Sequence, residues 1–396
     1  MDVRVAWIWL QQALGPGCIR AGALLREMGD ALGVYRAPEE ALLPYVADRK
    51  ERDRLLDRDL SGAQAIFERT RRRGMWLLTP DDDRYPELLR GLPDLPLVLY
   101  GKGVMPDLRL VPPVAVAGTR RVSDHGAQAA QQIADGLVRG GAAVVAGAAV
   151  GVEAIAHAAA LDAGGVTITV QPCGLDVEYP PENTALRERV AREGALVSEY
   201  PPGTERVRES FRLCNRLISG MSLGVCLVEA GKRSGSLTIA AHAREQGRDV
   251  FAVAGDFLVG RSPGTDRLIR EGARLATGAG SILEEYLPLF PDILDPKAES
   301  RPRPAAAGGK KAPETPPAQA PKAVCRKALA PEPAGLSEPA HRVFAVLREE
   351  PQLLAEIAAA AELPVPEATA ALTELEMTGA AGRMPGQRYA RRTVAE

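Results

Sequence analysis

Aromatic residues are scarce in this chain, with 6 Phe, 3 Trp and 8 Tyr among 396 residues. A single-strand binder built on rows of stacking rings is therefore not expected. An excess of either charge is lacking too, since 49 Lys+Arg stand against 51 Asp+Glu for a net of -2. That balance excludes a globally basic coat for nucleic acid, so a polyanion has to be held by a local patch. Cysteine pairs are missing: Cys18, Cys173, Cys214, Cys226 and Cys325 form no CxxC, which fits free thiols in a reducing cytoplasm. His125, His157, His242 and His341 lie far apart, none at ligand spacing from a Cys or a second His, and no metal or cofactor is expected. Long apolar runs are lacking as well. The start MDVRVAWIWL carries Arg4 inside a run too short to span a bilayer, and no export signal or membrane anchor is expected. What remains, 46% hydrophobic and 25% charged residues with 39 Gly and 32 Pro, suits a soluble protein of one large or two to three ordinary domains.

Residues 1–70 carry Leu and Ala at helical spacing around the turn Gly15-Pro16-Gly17, which predicts a helical module, and it resembles the helix-hairpin-helix or SAM-like kind. Turn amides in such modules can hold DNA phosphates, while a short bundle serves equally as a packing or docking piece. A β-rich stretch follows Arg71-Arg72-Arg73-Gly74. From Val114 onward, Val- and Ala-rich strands alternate with helices of about a dozen residues. Residues 75–292 are thus predicted to form an extended Rossmann-like, doubly wound parallel sheet with helices on both faces.

Residues 296–335 hold nine prolines and few large apolar side chains, predicting a flexible, partly polyproline linker. Its Arg301, Arg303, Lys310, Lys311, Lys322, Arg326 and Lys327 make it a basic tether or simply a solvated spacer. Residues 336–392 read as a winged helix, with a recognition-type helix over 364–379 and a wing bearing Arg383, Arg388, Arg391 and Arg392. That helix carries Glu367, Glu374 and Glu376 and no Lys or Arg, so it suits protein contact or regulation better than a major groove.

In open α/β sheets, ligands bind beyond the carboxyl ends of the strands, where helix N-termini present amides. Five strand-to-helix loops fit: 118–126, 146–151, 173–183, 199–216 and 229–238. Together they gather glycines, hydroxyls and cations on one sheet edge suited to phosphates. Familiar nucleotide motifs are absent. No GxGxxG opens the first helix, Cys226 and Arg233 spoil a Walker A reading of the fifth loop, and no GxSxG or paired carboxylate site is evident. No enzymatic machinery is expected.

At these loops the chain resembles the DNA-processing protein A family, DprA or Smf. The likeness rests on VAVAGTRRVSDHG, VVAGAAVGVEAIAHAAAL, QPCGLDVEYPPEN, SEYPPGT, FRLCNRLISGMS, VEAGKRSGSLTIAAHA and GRDVFAVAG, in the family's order. The resemblance implies a single-stranded DNA-binding recombination mediator that dimerises in the cytoplasm and loads RecA recombinase on incoming DNA during natural transformation. It implies further that Gly118, Arg120, Ser123, Gly126, Gly147 and Gly151 cradle the strand. Arg208 would bind phosphate and Phe211 pack against a base, with Asn215, Arg216, Lys232, Ser234, Gly235, Ser236 and Thr238 along the same groove. Close helix–strand packing is the alternative explanation for Gly147 and Gly151. His157 is read as a hydrogen-bonded core residue, and Asn183 and Glu229 as loop anchors.

The chain departs from the family pattern at Val150 and Cys214, where the family has Arg, and at Glu153, Ala254 and Asp266, where it has Asp, Pro and Asn. Fewer cations imply weaker binding, unless Arg121, Arg212 and Arg233 compensate. Two other functions stay open. One is a nucleotide-processing enzyme of phosphoribohydrolase type, although the P-G-G-x-G-T-x-x-E signature of those enzymes is missing. The other is a diverged scaffold that has lost DNA binding.

Overall fold

A computed structural model of the chain describes residues 2–256, 260–301, 327–329, 333, 336–348, 352–384 and 388–395. They belong to two units, Met1–Pro302 and Arg303–Glu396.

Capping sets the helices of the first unit. Asp2 accepts from the Arg4 amide at 3.0 Å to start α1 (Val3–Leu14), and Gly15, at φ 80°, ends it. Asp30 and Asp48 cap α3 (Ala31–Arg36) and α5 (Arg49–Leu56) in the same way, through the amides of Gly33 and Glu51. Between and after them lie α2 (Ala21–Met28), the single turn α4 (Glu39–Leu42) and α6 (Ser61–Arg72). Trp7, Ile8 and Leu10 of α1 are fully buried in the middle of this bundle.

Nine strands follow: β1 (Trp76–Leu78), β2 (Leu99–Gly103), β3 (Pro113–Ala117), β4 (Ala143–Gly147), β5 (Thr167–Gln171), β6 (Ala195–Ser198), β7 (Gly224–Leu227), β8 (Asp249–Ala252) and β9 (Arg274–Leu275). They make one sheet in the order β1-β2-β6-β5-β4-β3-β7-β8-β9. From β6 to β9 every pairing is parallel, as expected of a doubly wound sheet. The β-rich stretch after residue 74 adds an antiparallel edge, β1 on β2 and β2 on β6, so the sheet is mixed. Only the single turn α7 (Glu87–Arg90) separates β1 from β2, and a connection without a long crossover helix favours antiparallel return.

Alternating strand residues feed two cores. Ala115, Val145, Ile168, Val225 and Ala252 face the helical bundle together with α11 (Arg208–Gly220), α12 (Leu237–Glu245) and α13 (Pro263–Arg270). Val114, Val116, Val144, Cys226 and Phe251 face α8 (Asp124–Arg139), α9 (Val152–Asp162) and α14 (Ala279–Tyr286). The remaining crossover, α10 (Thr184–Glu193), buries Val190 against Leu196 of β6. The N-terminal module is therefore one wall of the core that also supports the sheet.

Residues 296–301 depart from the expected linker. They make a short 3-10 turn over Ala298–Ser300, where Ala298 is buried and Glu299 lies close to Gly136 of α8, because the small residues along α8 leave room for it. Most of the basic tether, including Arg303, Lys310, Lys311, Lys322 and Arg326, lies outside the described residues.

The second unit is a winged helix. Helices α15 (Glu338–Val346), α16 (Leu354–Ala360) and α17 (Val365–Met377) pack around Phe344, Ile357, Leu372 and Leu375, beside the strands β11 (Gln352–Leu353), β12 (Ala381–Met384) and β13 (Arg388–Arg391). A further pair, β10 (Lys327–Leu329) with β14 (Thr393–Ala395), brackets it. One of the three carboxylates on α17 is structural: Glu374 accepts from the Ser337 amide at 2.7 Å and hydroxyl at 2.6 Å at the start of α15.

Candidate nucleic-acid interface

The strand order reverses between β3 and β7, whose following helices α8 and α12 go to opposite faces of the sheet. Loops diverging at such a point leave a crevice. Here the Thr119 amide donates to the Glu229 carbonyl at 2.8 Å, fixing the two loops side by side. The resulting cleft has a volume of about 490 Å³ and is walled by residues 118–121, 147–149 and 234–236, Pro172, Tyr179, Glu153, and Phe211, Cys214, Asn215 and Ile218 of α11.

Cations and rings meet at its mouth. The Arg120 guanidinium lies 5.5 Å from the Phe211 ring centre, and its Nη2 donates to the Tyr179 hydroxyl at 3.4 Å. Tyr179 stands edge-on to Phe211 at 5.5 Å, and Arg206 covers the Tyr179 ring at 5.1 Å. Arginine over an aromatic face is attracted by the ring quadrupole while its remaining N–H groups stay free for an anion. Burial raises the Tyr179 hydroxyl above its usual range, with Arg120 pulling the other way. On the opposite wall, Asn215 Nδ2 donates to Thr238 Oγ1 at 2.5 Å and to the Gly235 carbonyl at 3.4 Å, tying α11 to the fifth loop. The hydroxyls of Ser234 and Ser236 share a hydrogen bond of 2.8 Å.

The floor is different in kind. Glu153, 7% exposed, accepts from the Ala149 amide at 2.9 Å through Oε2, and burial pushes its carboxyl up to about 7. Behind it, His157 bonds Thr167 Oγ1 at 2.7 Å and the Gly147 carbonyl at 3.0 Å, and burial lowers it to about 4. It is a neutral core residue. Asn183 anchors a loop by donating to the Ala148 carbonyl at 3.0 Å.

Of the residues expected to form the groove, Gly118, Arg120, Gly147, Phe211, Asn215, Ser234, Gly235 and Ser236 line this cleft. Arg208 and Lys232 are exposed, Arg208 one turn ahead of Phe211 and Lys232 in the loop that carries the serines, but neither lines it. Thr238 serves as the bridge to Asn215.

Arg216 requires a correction: its side chain leaves the cleft for the opposite side of α11 and is 2% exposed. There Nη2 reaches both Glu199 oxygens at 2.8 Å, and Nε lies 3.2 Å from Asp94. Phe211 and Asn215 share the cleft face of α11, and the next residue along the helix turns about 100° away from Asn215. Ser123 and Gly126 also turn inward. The Ser123 hydroxyl donates to the Glu229 carboxylate and accepts from the Gly126 amide at 3.1 Å, capping α8, while Gly126 is buried under the same carboxylate. Gly151 has φ 84° and would drive a Cβ into the carbonyls of Thr119 and Arg120, so its role is loop packing.

The helical hairpin turn is committed internally as well, because the Gly17 amide donates to Glu199 at 3.3 Å. The position of Cys214, where the family has Arg, faces the sheet and donates to the Val170 carbonyl at 3.3 Å. Val150 sits on the rim beside Arg120 and Arg206, and Arg121 lines the cleft itself. Sequence reasoning missed Tyr179, Arg206 and Glu153 as part of the site. Tyr179 lay within a recognised loop, whereas nothing in the spacing of Arg206 singled it out.

No helix among the described residues is long and apolar enough to cross a membrane. Residues 76–287 match the family model for DNA recombination-mediator protein A, and residues 327–387 match that for the DprA winged helix domain. Protein Smf of Synechocystis is 35% identical over 331 residues, covering 83% of each chain. Among solved structures, DNA processing protein A of Streptococcus pneumoniae superposes with a TM-score of 0.63 at 33% identity, over 72% of this chain and 99% of that one. The protein of the same name from Helicobacter pylori, described for its single-stranded DNA binding mode, gives 0.50 at 29% identity, over 55% and 97% of the two chains.

Proposed function

The chain belongs to the DNA recombination-mediator protein A family, a DNA-processing family, and on that premise we propose that it binds single-stranded DNA in the cleft between β3 and β7. As a homodimer in the cytoplasm, it then loads RecA recombinase on strands taken up in natural transformation. One observation carries the strand-binding part: Arg120 over the Phe211 ring, at the mouth of a cleft bounded by glycine and serine loops. Backbone phosphates are met by Arg120, Arg121, Arg206, Arg208 and Lys232, while Phe211 supplies a face for one base. Duplex is disfavoured because its bases are already stacked and hidden from a single ring in a cleft.

Titration of the protein into fluorescent oligo-dT and into duplex, over a salt series, tests this. Tighter binding to the single strand is expected, with a shallow salt slope of roughly 0.7 per phosphate neutralised. Equal binding to both would sink it. For the recombinase step, ATP hydrolysis by RecA on strands coated with single-strand-binding protein should start sooner when the protein is present, and an unchanged lag removes that step alone. Hydrolysis of nucleoside monophosphates would favour the enzymatic alternative instead.

A further inference from the structure

The floor of the cleft carries a carboxylate, a group that repels phosphate. Glu153 lies in the first turn of α9, lines the cleft, and makes its one hydrogen bond among the described residues through Oε2 to the Ala149 amide. No Lys or Arg among the described residues stands within ion-pair distance of it. The charged and titratable groups that face it are Arg120 from the first loop, Tyr179 from the third and Cys214 from α11. His157, a turn further along α9, is bound to Gly147, Thr167 and Thr169.

A phosphate placed against that carboxylate meets a like charge in a poorly solvated site, which is costly. A base meets it favourably if it brings an N–H. We propose that Glu153 reads the nucleobase that enters the cleft past Phe211, accepting from bases with amino groups, namely cytosine, adenine and guanine, in preference to thymine. The inference rests on the strand-binding reading above and gives that site a base preference. Its chemical basis is complementarity: a carboxylate accepts only, the cytosine N4 amino group donates, and thymine presents two carbonyls flanking one imino N–H. Below about pH 7 the carboxyl holds a proton and can donate to a thymine carbonyl, so discrimination fades in acid and grows above neutrality.

The test is displacement of labelled oligo-dT by unlabelled oligo-dC and oligo-dT, at pH 6 and pH 8.5, for the wild type, Glu153→Gln and Glu153→Asp. At pH 8.5, oligo-dC should displace at about fivefold lower concentration than oligo-dT, a modest part of what a good base contact supplies. The ratio should shrink at pH 6, fall to about one in Glu153→Gln, and persist in Glu153→Asp, which keeps the acceptor charge. Circular dichroism melting of each variant shows that the ratio is read on folded protein. Equal displacement by the two oligonucleotides in the wild type, or a preference that survives Glu153→Gln, overturns the inference while leaving strand binding in place. If no oligonucleotide binds at all, strand binding and base reading fall together.

Discussion

Two buried carboxylates lie on opposite sides of α11, and they are treated in opposite ways. The Glu199 carboxylate, 2% exposed, accepts from Arg216 and from the Gly17 amide, with Asp94 on the same guanidinium, while the Gln11 side chain donates to the Glu199 backbone carbonyl. Burial pushes Glu199 upward and Arg216 pulls it back. Glu153, 7% exposed, has one amide and, among the described residues, no arginine within ion-pair distance. The first arrangement fastens the helical module to the helix that carries Phe211. The second leaves an acceptor open to the cleft. A carboxylate paired on all sides stabilises a joint, and one left half-satisfied beside solvent is available to a ligand.

The largest test of this contrast is Arg216→Met, which strands Glu199 without its partner. Removing one member of a buried pair costs about 3–5 kcal/mol, so chemical denaturation should show a loss of that size, partly recovered when Glu199→Leu is added. A variant that kept full stability yet failed to bind DNA would return Arg216 to the groove and break the comparison.

Next comes pH. The folded chain holds the Glu153 proton up to about 7, against a usual value of 4.5, so its contribution to stability is full below 4.5 and is lost as pH rises through 7. His157 works oppositely: lowered to about 4 from 6.5, its contribution is present above 6.5 and lost as pH falls toward 4. The two largely cancel in the wild type. Glu153→Gln removes one of them, so its stability relative to wild type should rise by about 3 kcal/mol between pH 4.5 and 7, measured by denaturant unfolding at each pH. A difference that stays constant with pH would mean that Glu153 is not held protonated.

On the cleft face, Phe211→Ala should weaken strand binding by about 1–3 kcal/mol, the range for a stacked base, with a smaller stability loss from its contact with Tyr179. Arg120→Ala should have the smallest effect, weakening binding about equally on every sequence and flattening the salt slope by roughly 0.7, because phosphate contacts carry no base information. If it changed the base preference instead, Arg120 would have to be moved from the rim to the floor.

Much of this was readable in advance. Val/Ala strands spaced by amphipathic helices announced the parallel sheet, and loops such as 118–121 and 234–236 had to lie at the carboxyl ends of their strands. Arg216 sits beside Asn215 in the chain, and only the packing of the helical module shows that the two face opposite ways. The commitment of Ser123 is hidden from the sequence for a related reason: its partner Glu229 is 106 residues away. Arg206 gave no periodic signal, as its place is set by the Tyr179 ring it covers.

Periodicity and turn residues are local properties, so the sequence by itself determined the kinds of element, their order and the sheet edge where a site forms. Which polar groups remain free at that edge depends on partners brought from elsewhere in the chain. Tertiary structure alone decided that Arg216, Ser123 and the Gly17 amide are spent on internal carboxylates, and that among the described residues Arg120, Phe211 and one oxygen of Glu153 are left without that commitment.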